Sequence, residues 1–363
     1  MSKPALLILE DSTKFEGFSF GSDGETVGEV VFNTSMAGYQ EILTDPSYIK
    51  QLVVMTYPMI GNYGVVPGDS ESKKIHVAGF VVREYSKTFS SRDKAAVSLD
   101  SFLQEQGIMA IEGIDTRCLT RHLREKGVMR AGLSTHDLDP DSLLKKVLAF
   151  PSMSGQDLTR AVTCDAVGAY IAPEKVDFKV AALDCGIKEN ILRHLKNRNC
   201  QVTLYPAVTS ADELLKTDVD GFFISNGPGD PAAAEQVIET LKGIIGKKPV
   251  FGICLGHQML CNALGARTYK LKFGHRGGNH PVKNMDTGKI EISSQNHGFC
   301  VDEKSLPEDL EVTHLNLNDM TIEGVRHKKY PVFSVQYHPE NAPGPHDSEY
   351  IFDDFIRMLR DSG

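Results

Sequence analysis

The sequence predicts an α/β protein with two parts: an N-terminal domain of mixed α/β type and a C-terminal doubly wound, mostly parallel sheet. Two observations lead to this prediction. From residue 178 onward, short apolar runs alternate with helical patterns, as in parallel strands joined by crossover helices. The first 150 residues show short strands broken by Gly and Pro turns. The length of 363 residues suits two domains.

In the C-terminal part, the elements follow one another with short connections. We predict strands over 179–183, 201–205, 221–224 and 249–253, and helices over 187–197, 211–216, 232–245 and 256–264. Further strands are predicted over 289–294, 311–314, 321–326 and 332–337, with a closing helix over 348–359. In an open sheet of this kind, ligands bind beyond the carboxyl ends of the strands.

The N-terminal part has strand patterns first and helical patterns later. We predict strands over 5–10, 28–33, 52–56 and 76–82, and helices over 98–106 and 116–126. The segment after residue 150 has weak periodicity and many small residues, which is typical of a connector. The predicted organisation is therefore a domain over 1–150, a connector over 151–176 and a second domain over 177–363.

Composition excludes several classes of protein. Hydrophobic residues make up 41% of the chain, but no stretch approaches the roughly 20 apolar residues that a membrane span needs. The apolar start, residues 5–9, is too short for a signal peptide. The seven cysteines form no C-x-x-C motif, which favours reduced thiols and a cytoplasmic location. A net charge of −9 argues against nucleic acid as a partner.

The clearest chemical motif is Phe251-Gly-Ile-Cys-Leu-Gly-His-Gln258, at the junction of a predicted strand and a predicted helix. A G-x-C-x-G frame favours a sharp turn, because Gly252 and Gly256 allow close backbone approach. Cys254 would then stand at a helix N-terminus, where the helix dipole favours the reactive thiolate. The motif predicts a cysteine nucleophile.

A base for this nucleophile is predicted in Phe333-Ser-Val-Gln-Tyr-His-Pro-Glu340. If strand alternation continues through Pro339, His338 and Glu340 lie on the same side, with Tyr337 on the opposite side. The carboxylate could then orient the imidazole and stabilise its protonated form. We therefore predict a catalytic triad of Cys254, His338 and Glu340.

The turn-rich stretch Ile224-Ser-Asn-Gly-Pro-Gly-Asp-Pro231 follows another predicted strand. Thioester chemistry needs hydrogen-bond donors where charge develops on the carbonyl oxygen, and losing one such donor typically costs about 10²- to 10³-fold in rate. We assign this role to the backbone N–H groups of Gly227 and Leu255.

Each motif also has a simpler structural interpretation. A single cysteine after a strand is commonly a small buried apolar residue, and the other two motifs are commonly turns. Cys254, His257 and Cys261 have a spacing that could bind zinc on one helix face. The zinc interpretation supplies only three ligands and leaves the glycine frame unexplained. The three motifs together, at strand ends of one α/β pattern, favour catalysis.

With these motifs present, residues 178–363 resemble the class I (triad) glutamine amidotransferase domain. Further stretches resemble the small, glutamine-hydrolysing subunit family of carbamoyl-phosphate synthetases, and the match extends over nearly the whole chain. These stretches are Lys272-Phe-Gly-His-Arg-Gly-Gly-Asn-His-Pro281, Gln295-Asn-His-Gly-Phe299, Pro343-Gly-Pro-His-Asp347, residues 28–48 and Gly113-Ile-Asp-Thr-Arg117.

The resemblance implies that this chain hydrolyses L-glutamine and passes ammonia to a large synthetase subunit, as part of a heterodimer or a higher oligomer. That subunit would make carbamoyl phosphate from bicarbonate with ATP and Mg²⁺, so neither a cofactor nor a metal is expected on this chain. By the same resemblance, glutamine would be held by Ser47, Gly227, Gly229, Leu255, Gln258, Asn296, Gly298 and Phe299.

Two other functions remain open from the residues alone. A free-standing cysteine hydrolase of the same fold would need no partner, but it would have no evident use for the first 150 residues. A catalytically inactive binding module would be expected to lack the thiol, and Cys254, His338 and Glu340 are all present. The C-terminal domain also resembles other amidotransferases, which lack an N-terminal domain of this pattern.

Overall fold

The structure is a computed structural model that describes residues 3–88 and 96–362. The chain forms two compact units, residues 1–153 and residues 154–363. Each unit has its own buried apolar clusters. No helix in the described ranges is both long enough and apolar enough to cross a membrane.

The first unit is a strand-rich barrel with helices, which confirms its mixed α/β character. Its elements are β1 (Pro4–Leu9), β2 (Lys14–Gly21), β3 (Glu25–Asn33), α1 (Tyr39–Thr44), β4 (Gln51–Met55), β5 (Met59–Ile60), β6 (Gly79–Val81), β7 (Glu84–Tyr85), α2 (Leu99–Glu105), β8 (Met109–Glu112), α3 (Thr116–Lys126), β9 (Met129–Ser134) and α4 (Pro140–Ala149). Seven strands close in the order β1-β2-β8-β6-β4-β3-β9.

The prediction that helices occur only late in this unit is wrong. Helix α1 comes directly after β3 and is only six residues long. A helix this short is not stable by itself, so it depends on tertiary packing. Tyr39, Ile42 and Leu43 are buried in the core of the unit and supply that packing. The sequence analysis also missed β2, β8, β9 and α4.

The second unit contains the predicted alternation of strands and helices. Its elements are β10 (Gly168–Ala169), β11 (Phe178–Asp184), α5 (Glu189–Asn197), β12 (Cys200–Pro206), α6 (Ala211–Leu215), β13 (Gly221–Ile224), α7 (Glu235–Ile244), β14 (Val250–Ile253), α8 (Leu255–Ala263), β15 (Thr268–Asn284), β16 (Ile290–Val301), β17 (Leu310–Asn316), β18 (Ile322–His327), β19 (Val332–Val335) and α9 (Tyr350–Ser362).

These strands form one sheet in the order β10-β12-β11-β13-β14-β19-β18-β17-β15-β16. The pairs from β12 to β19 are parallel, and the strands beyond β19 continue as an antiparallel extension. One apolar cluster includes residues of α5 and α9, and another includes residues of α6, α7 and α8. The parallel part is therefore doubly wound. Its strand order reverses beside β11, where such sheets commonly bind ligands.

The long antiparallel pair of β15 and β16 was largely missed by the sequence analysis. The prediction had no strand over 268–284 and ended the next one at residue 294, whereas β16 continues to Val301. Gly and Pro residues within β15 obscured the pattern, and the structure accommodates them with two register shifts against β16. The segment assigned to a connector, 151–176, contributes β10 to the sheet of the second unit.

Candidate active site

The turn between β14 and α8 places Cys254 at the N-cap of the helix. Its backbone has φ 54° and ψ −105°, a left-handed conformation that a residue with a side chain rarely adopts. Such a conformation costs on the order of 1–3 kcal/mol and persists because surrounding contacts hold it. The Cys254 N–H donates to the Val335 carbonyl at 2.9 Å, which ties the strained turn to β19.

The two glycines of this turn are explained by close approach rather than by positive φ. A Cβ at Gly256 would lie 2.3 Å from the Ile224 carbonyl oxygen. A Cβ at Gly252 would lie 2.6 Å from the Leu260 side chain. Helix α8 can therefore begin directly over the end of β13 only because both positions lack a side chain.

The Cys254 thiol is buried, with 2% of the residue exposed. Its Sγ donates to the Asn296 carbonyl of β16 at 3.5 Å. Cys254 therefore contacts the strand that carries three of the residues predicted to hold substrate. Cys254 and Asn296 lie 42 residues apart in the chain, so only the fold brings them together.

His338 and Glu340 form a short hydrogen bond, with 2.7 Å between Nδ1 and Oε1, and both residues are buried. Strand alternation does not produce this arrangement, because β19 already ends at Val335. The segment after the strand is held instead by a hydrogen bond from the His338 N–H to the Ser294 carbonyl at 2.9 Å. The predicted proximity is present, but its expected cause is wrong.

The charges around His338 favour its protonated form. Burial lowers its pKa, but the charge of Glu340 and the ionised form of Cys254 outweigh burial and raise the pKa to about 10. Burial raises the pKa of Glu340, yet Lys188 and His338 hold that pKa well below its usual value. The buried Nε2 of His338 accepts or donates no hydrogen bond among the described residues, so it is available for proton transfer.

Lys188 is a charged member of this site that the sequence analysis missed. Its Nζ lies 2.8 Å from Glu340 Oε1 and 2.5 Å from the Ala342 carbonyl oxygen. The side chains of Lys188 and Glu340 are 3% and 0% exposed, so this is a fully buried ion pair. Asn190 donates to the Glu340 carbonyl oxygen from the same part of the chain. The sequence signal for Lys188 was a lysine four residues after the end of the buried strand β11.

The two predicted oxyanion donors come from different parts of the chain, and a Cβ at Gly227 would lie 3.0 Å from the Leu255 side chain. Leu255 is the first residue of α8, where backbone N–H groups have no intrahelical acceptor. Gly227 follows β13 and packs so closely that a Cβ there would lie 2.0 Å from the Cys185 carbonyl oxygen. Their role in stabilising an oxyanion stays a prediction.

Comparisons with known proteins identify both parts of the chain. Residues 181–358 match the family "Glutamine amidotransferase class-I", and residues 7–133 match "Carbamoyl-phosphate synthase small chain, CPSase domain". A protein of Chlorobaculum tepidum named carbamoyl phosphate synthase small chain is 53% identical, with 98% of each chain covered. The protein of that name from Akkermansia muciniphila is 52% identical, covering 98% of this chain and 97% of its own.

This chain belongs to the carbamoyl phosphate synthase small-chain family. The resemblance stated from the sequence motifs is thereby confirmed, and so is the assignment of the second unit to the class I glutamine amidotransferases. Because it has the amidotransferase domain and is similar over its full length to synthase small chains, this chain is a glutamine amidotransferase subunit.

Several residues that the small-chain resemblance assigns to glutamine lie close together in the second unit. Asn296, Gly298 and Phe299 are on β16. Gln258 on α8 donates from Nε2 to the Phe299 carbonyl at 2.7 Å and to Gln336 Oε1 at 2.9 Å. Gln258 therefore anchors β16 at Phe299 through its side-chain amide. The direct contacts of these residues with glutamine stay predictions.

Two other glycine and serine assignments have a clear local setting. Gly229 has φ +100°, which favours glycine, and it bridges to Asp157. Ser47 belongs to the first unit, where it is 7% exposed in a single turn over Pro46–Tyr48. Its N–H donates to the Asp45 carboxylate at 2.8 Å. Contact between Ser47 and substrate stays a prediction.

Of the three residues in the alternative zinc site on α8, His257 Nδ1 lies 4.0 Å from Cys261 Sγ, whereas Cys254 Sγ contacts the Asn296 carbonyl instead. His257 Nδ1 lies 2.9 Å from the Ser334 hydroxyl, and Cys261 packs in an apolar cluster. Among the described residues, the group that brings metal-ligand atoms together is a different one: His275, His297 and Glu323, whose ligand atoms lie within 4.8 Å of one another. The sequence analysis did not single out these three residues as a group.

Proposed function

We propose that this chain hydrolyses L-glutamine to glutamate and ammonia through a thioester on Cys254, and that the ammonia passes to a large synthase subunit. The observation that carries the proposal is the buried pair of His338 and Glu340 beside a cysteine in a strained turn, within a chain of the small-chain family. These are the parts that nucleophilic catalysis by a thiolate requires.

In the first half of the reaction, the Cys254 thiolate attacks the side-chain carbonyl carbon of glutamine, and the carbonyl oxygen becomes negative. The N–H groups of Gly227 and Leu255 stabilise this oxygen. Protonated His338 donates its Nε2 proton to the amide nitrogen as the C–N bond breaks. Ammonia leaves, and a thioester joins the substrate to Cys254.

In the second half, neutral His338 takes a proton from water, and the resulting hydroxide attacks the thioester carbonyl. The same backbone groups stabilise the second oxyanion. The C–S bond then breaks, which releases glutamate and restores the Cys254 thiolate beside protonated His338. The balance is one glutamine and one water consumed for one glutamate and one ammonia.

Glu340 and Lys188 prepare His338 for this work. The Glu340 carboxylate accepts the Nδ1–H of His338, so Nε2 is the nitrogen left for proton transfer. Lys188 keeps that carboxylate ionised although it is completely buried. Without a cation beside it, the buried carboxyl would tend to take up a proton and release the imidazole.

Glutamine would be held by Ser47, Gly227, Gly229, Leu255, Gln258, Asn296, Gly298 and Phe299. Free glutamine carries an α-ammonium and an α-carboxylate, and amide, hydroxyl and backbone groups suit both. We further propose a cytoplasmic heterodimer, or a higher oligomer of it, with ATP and Mg²⁺ bound by the large subunit.

The experiment that tests the proposal measures glutamine hydrolysis by this chain with and without its large subunit, together with bicarbonate-dependent ATP hydrolysis. We expect the large subunit to raise glutaminase activity and the complex to form carbamoyl phosphate from glutamine. A chain that forms no such complex but cleaves peptides or γ-glutamyl compounds would instead be a free-standing cysteine hydrolase.

A further inference from the structure

A buried carboxylate stands at the start of the loop between β11 and α5, and the proposed reaction gives it no role. Asp184 is the last residue of β11 and is 5% exposed. The loop 185–188 follows it and leads into α5. Because β11 pairs in parallel with β13, this loop lies beside the turn after β13 that carries Gly227. The partners of Asp184 show what connects the two segments.

The Asp184 carboxylate accepts three hydrogen bonds from the backbone. Its Oδ1 accepts from the N–H groups of Gly186 and Ile187, each at 2.9 Å. Its Oδ2 accepts from the Cys164 N–H at 2.8 Å. One side chain therefore ties the loop 185–188 to the end of its own strand and also holds a segment that lies 20 residues earlier in the chain.

The hydrogen bond from Gly186 also orients the carbonyl group of Cys185. A trans peptide unit is planar, so the Gly186 N–H and the Cys185 C=O point in opposite directions and can only turn together. The N–H points to Asp184, and the Cys185 oxygen occupies the space where a Cβ at Gly227 would lie, 2.0 Å away. Gly186 has φ +119°, and glycine at this φ leaves the peptide unit free to turn unless another group holds it.

Two hydrogen bonds join the loop 185–188 directly to the turn after β13. The Cys185 N–H donates to Ser225 Oγ at 2.9 Å, and the Lys188 N–H donates to Asn226 Oδ1 at 3.2 Å. Within the turn, Ser225 Oγ donates to the Asn226 carbonyl at 2.8 Å. The position of Gly227 is therefore set by the loop 185–188 as well as by its own turn.

We propose that Asp184 is a positioning residue for glutamine hydrolysis: by fixing the loop 185–188, it keeps the Gly227 N–H directed at the substrate oxygen that becomes negative. This inference rests on the proposed function, in which Gly227 stabilises that oxygen. The charge on the oxygen develops only as the reaction proceeds, so a displaced Gly227 lowers kcat more than it raises KM. Lys188 keeps its own buried contact with Glu340, so the charges around His338 stay as they are.

Asp184→Ala removes the acceptor of all three N–H groups and is the variant with the larger expected effect. We expect kcat for glutamine hydrolysis to fall about 10- to 100-fold, while KM changes by less than about threefold. Alkylation of Cys254 by iodoacetamide forms no oxyanion, so its rate should stay within about twofold of the wild type. Both rates are measured on the folded fraction of the protein, determined by circular dichroism.

Asp184→Asn separates the loop from the segment at Cys164. The amide oxygen can still accept from Gly186 and Ile187, which leaves the amide nitrogen facing the Cys164 N–H. The reverse orientation would oppose two donors instead of one, so the first is favoured. We expect kcat within about threefold of the wild type. Amide hydrogen exchange should accelerate at Cys164 in both variants, but at Gly186 and Ile187 only in Asp184→Ala.

Two further variants complete the test. Asp220→Ala is the matched control, because Asp220 also accepts from a backbone N–H, that of Lys179, but at the other end of β11 and at the surface. Its kcat should equal that of the wild type. Gly186→Ala disturbs the same peptide unit without changing Asp184, since φ +119° is unfavourable for alanine. It should lower kcat with little change in KM, which keeps the proposal testable if Asp184→Ala does not fold.

A wild-type kcat in Asp184→Ala at a lower melting temperature would show a purely structural role and overturn the inference. Equal decreases in kcat and in the alkylation rate would also overturn it, because the thiol and imidazole would then be disturbed. Slow exchange at Gly186 and Ile187 in Asp184→Ala would show that another group holds the loop. A wild-type chain that never hydrolyses glutamine would contradict the proposed function instead, and hydrogen exchange would still report whether Asp184 holds the loop.

Discussion

In the first unit seven strands close into a barrel, whereas in the second unit ten strands form an open sheet. Parallel neighbours occur in both, since β3, β4, β6 and β8 pair in parallel within the barrel. Only the open sheet reverses its strand order between parallel strands. The turns after β13 and β14 lie beside that reversal and carry the candidate catalytic machinery.

The two units also differ in which polar side chains they bring together. A cavity of about 720 Å³ in the first unit is lined by charged and hydroxyl side chains, including Lys3, Asp100 and Glu112, and by neither a cysteine nor a histidine among the described residues. The second unit instead buries a thiol, an imidazole and an ion pair together. A polar cavity alone does not indicate catalytic chemistry, whereas paired buried charges in a cleft do.

The largest effect is expected from Cys254→Ser, which should lower glutamine hydrolysis by about 10⁴- to 10⁶-fold while leaving the fold intact. A hydroxyl is far harder to deprotonate than a thiol. Steady-state glutaminase assays check this, with added ammonia as a substrate that the complex should still use. Cys118→Ser, an exposed cysteine of the first unit, is the control and should retain activity. Substantial glutamine turnover by Cys254→Ser would remove Cys254 as the nucleophile.

The next effect is expected from His338→Asn, which should lower kcat by about 10²- to 10⁴-fold because proton transfer is lost. Glu340→Gln should lower kcat by a smaller factor, because the Glu340 carboxylate orients the imidazole and does not itself transfer protons. Iodoacetamide labelling measured on the peptide that contains Cys254 tests the coupling. The wild-type pH profile should include a step near pH 10, where protonated His338 loses its proton. The same profile in His338→Asn would mean that thiol and imidazole act independently.

Lys188→Met is expected to destabilise the second unit by about 3–5 kcal/mol, because it removes the cation that offsets the cost of burying the Glu340 carboxylate. Denaturant unfolding measures this. The pKa of Glu340 is depressed in the folded protein, so its contribution to stability is present above the unfolded pKa of about 4.3 and is lost as pH falls. The difference in the free energy of unfolding between Lys188→Met and the wild type should therefore become smaller as the pH is lowered.

Lys179→Met is the matched control for this prediction. Lys179 pairs with Asp218 at 2.6 Å, but both side chains are exposed, at 49% and 93%. Exposed pairs typically contribute about 0–1 kcal/mol. Equal decreases in the free energy of unfolding for Lys179→Met and Lys188→Met would show that burial of the Lys188–Glu340 pair does not increase its contribution to stability.

The smallest effect is expected from Ser47→Ala, and it tests whether the barrel unit takes part in the reaction at all. Loss of one hydroxyl contact to glutamine should weaken binding by about 0.5–1.5 kcal/mol, seen as a higher KM at an unchanged melting temperature. Ser101→Ala on α2 is the control in the same unit. Unchanged kinetics in Ser47→Ala would leave docking of the large subunit as the better role for the first unit.

Much of the second unit was predictable because local pattern and tertiary environment agree there. Strand β13 has the predicted residues, and the predicted bounds of the neighbouring elements differ by few positions. The pattern failed for β15, whose glycines and proline are tolerated only where bulges shift its register against β16. It also failed for α1, which is too short to be stable without the core that surrounds it.

The sequence by itself determined the alternation of strands and helices in the parallel part of the second unit, the cysteine turn and the family to which the chain belongs. These follow from local periodicity, from glycine at positions of close approach and from motifs that remain recognisable one at a time. Only the tertiary structure decided that Lys188 meets Glu340 and that Gln295 donates to Glu323. Such partners lie 152 and 28 residues apart, and the burial that gives their charges weight exists only after folding.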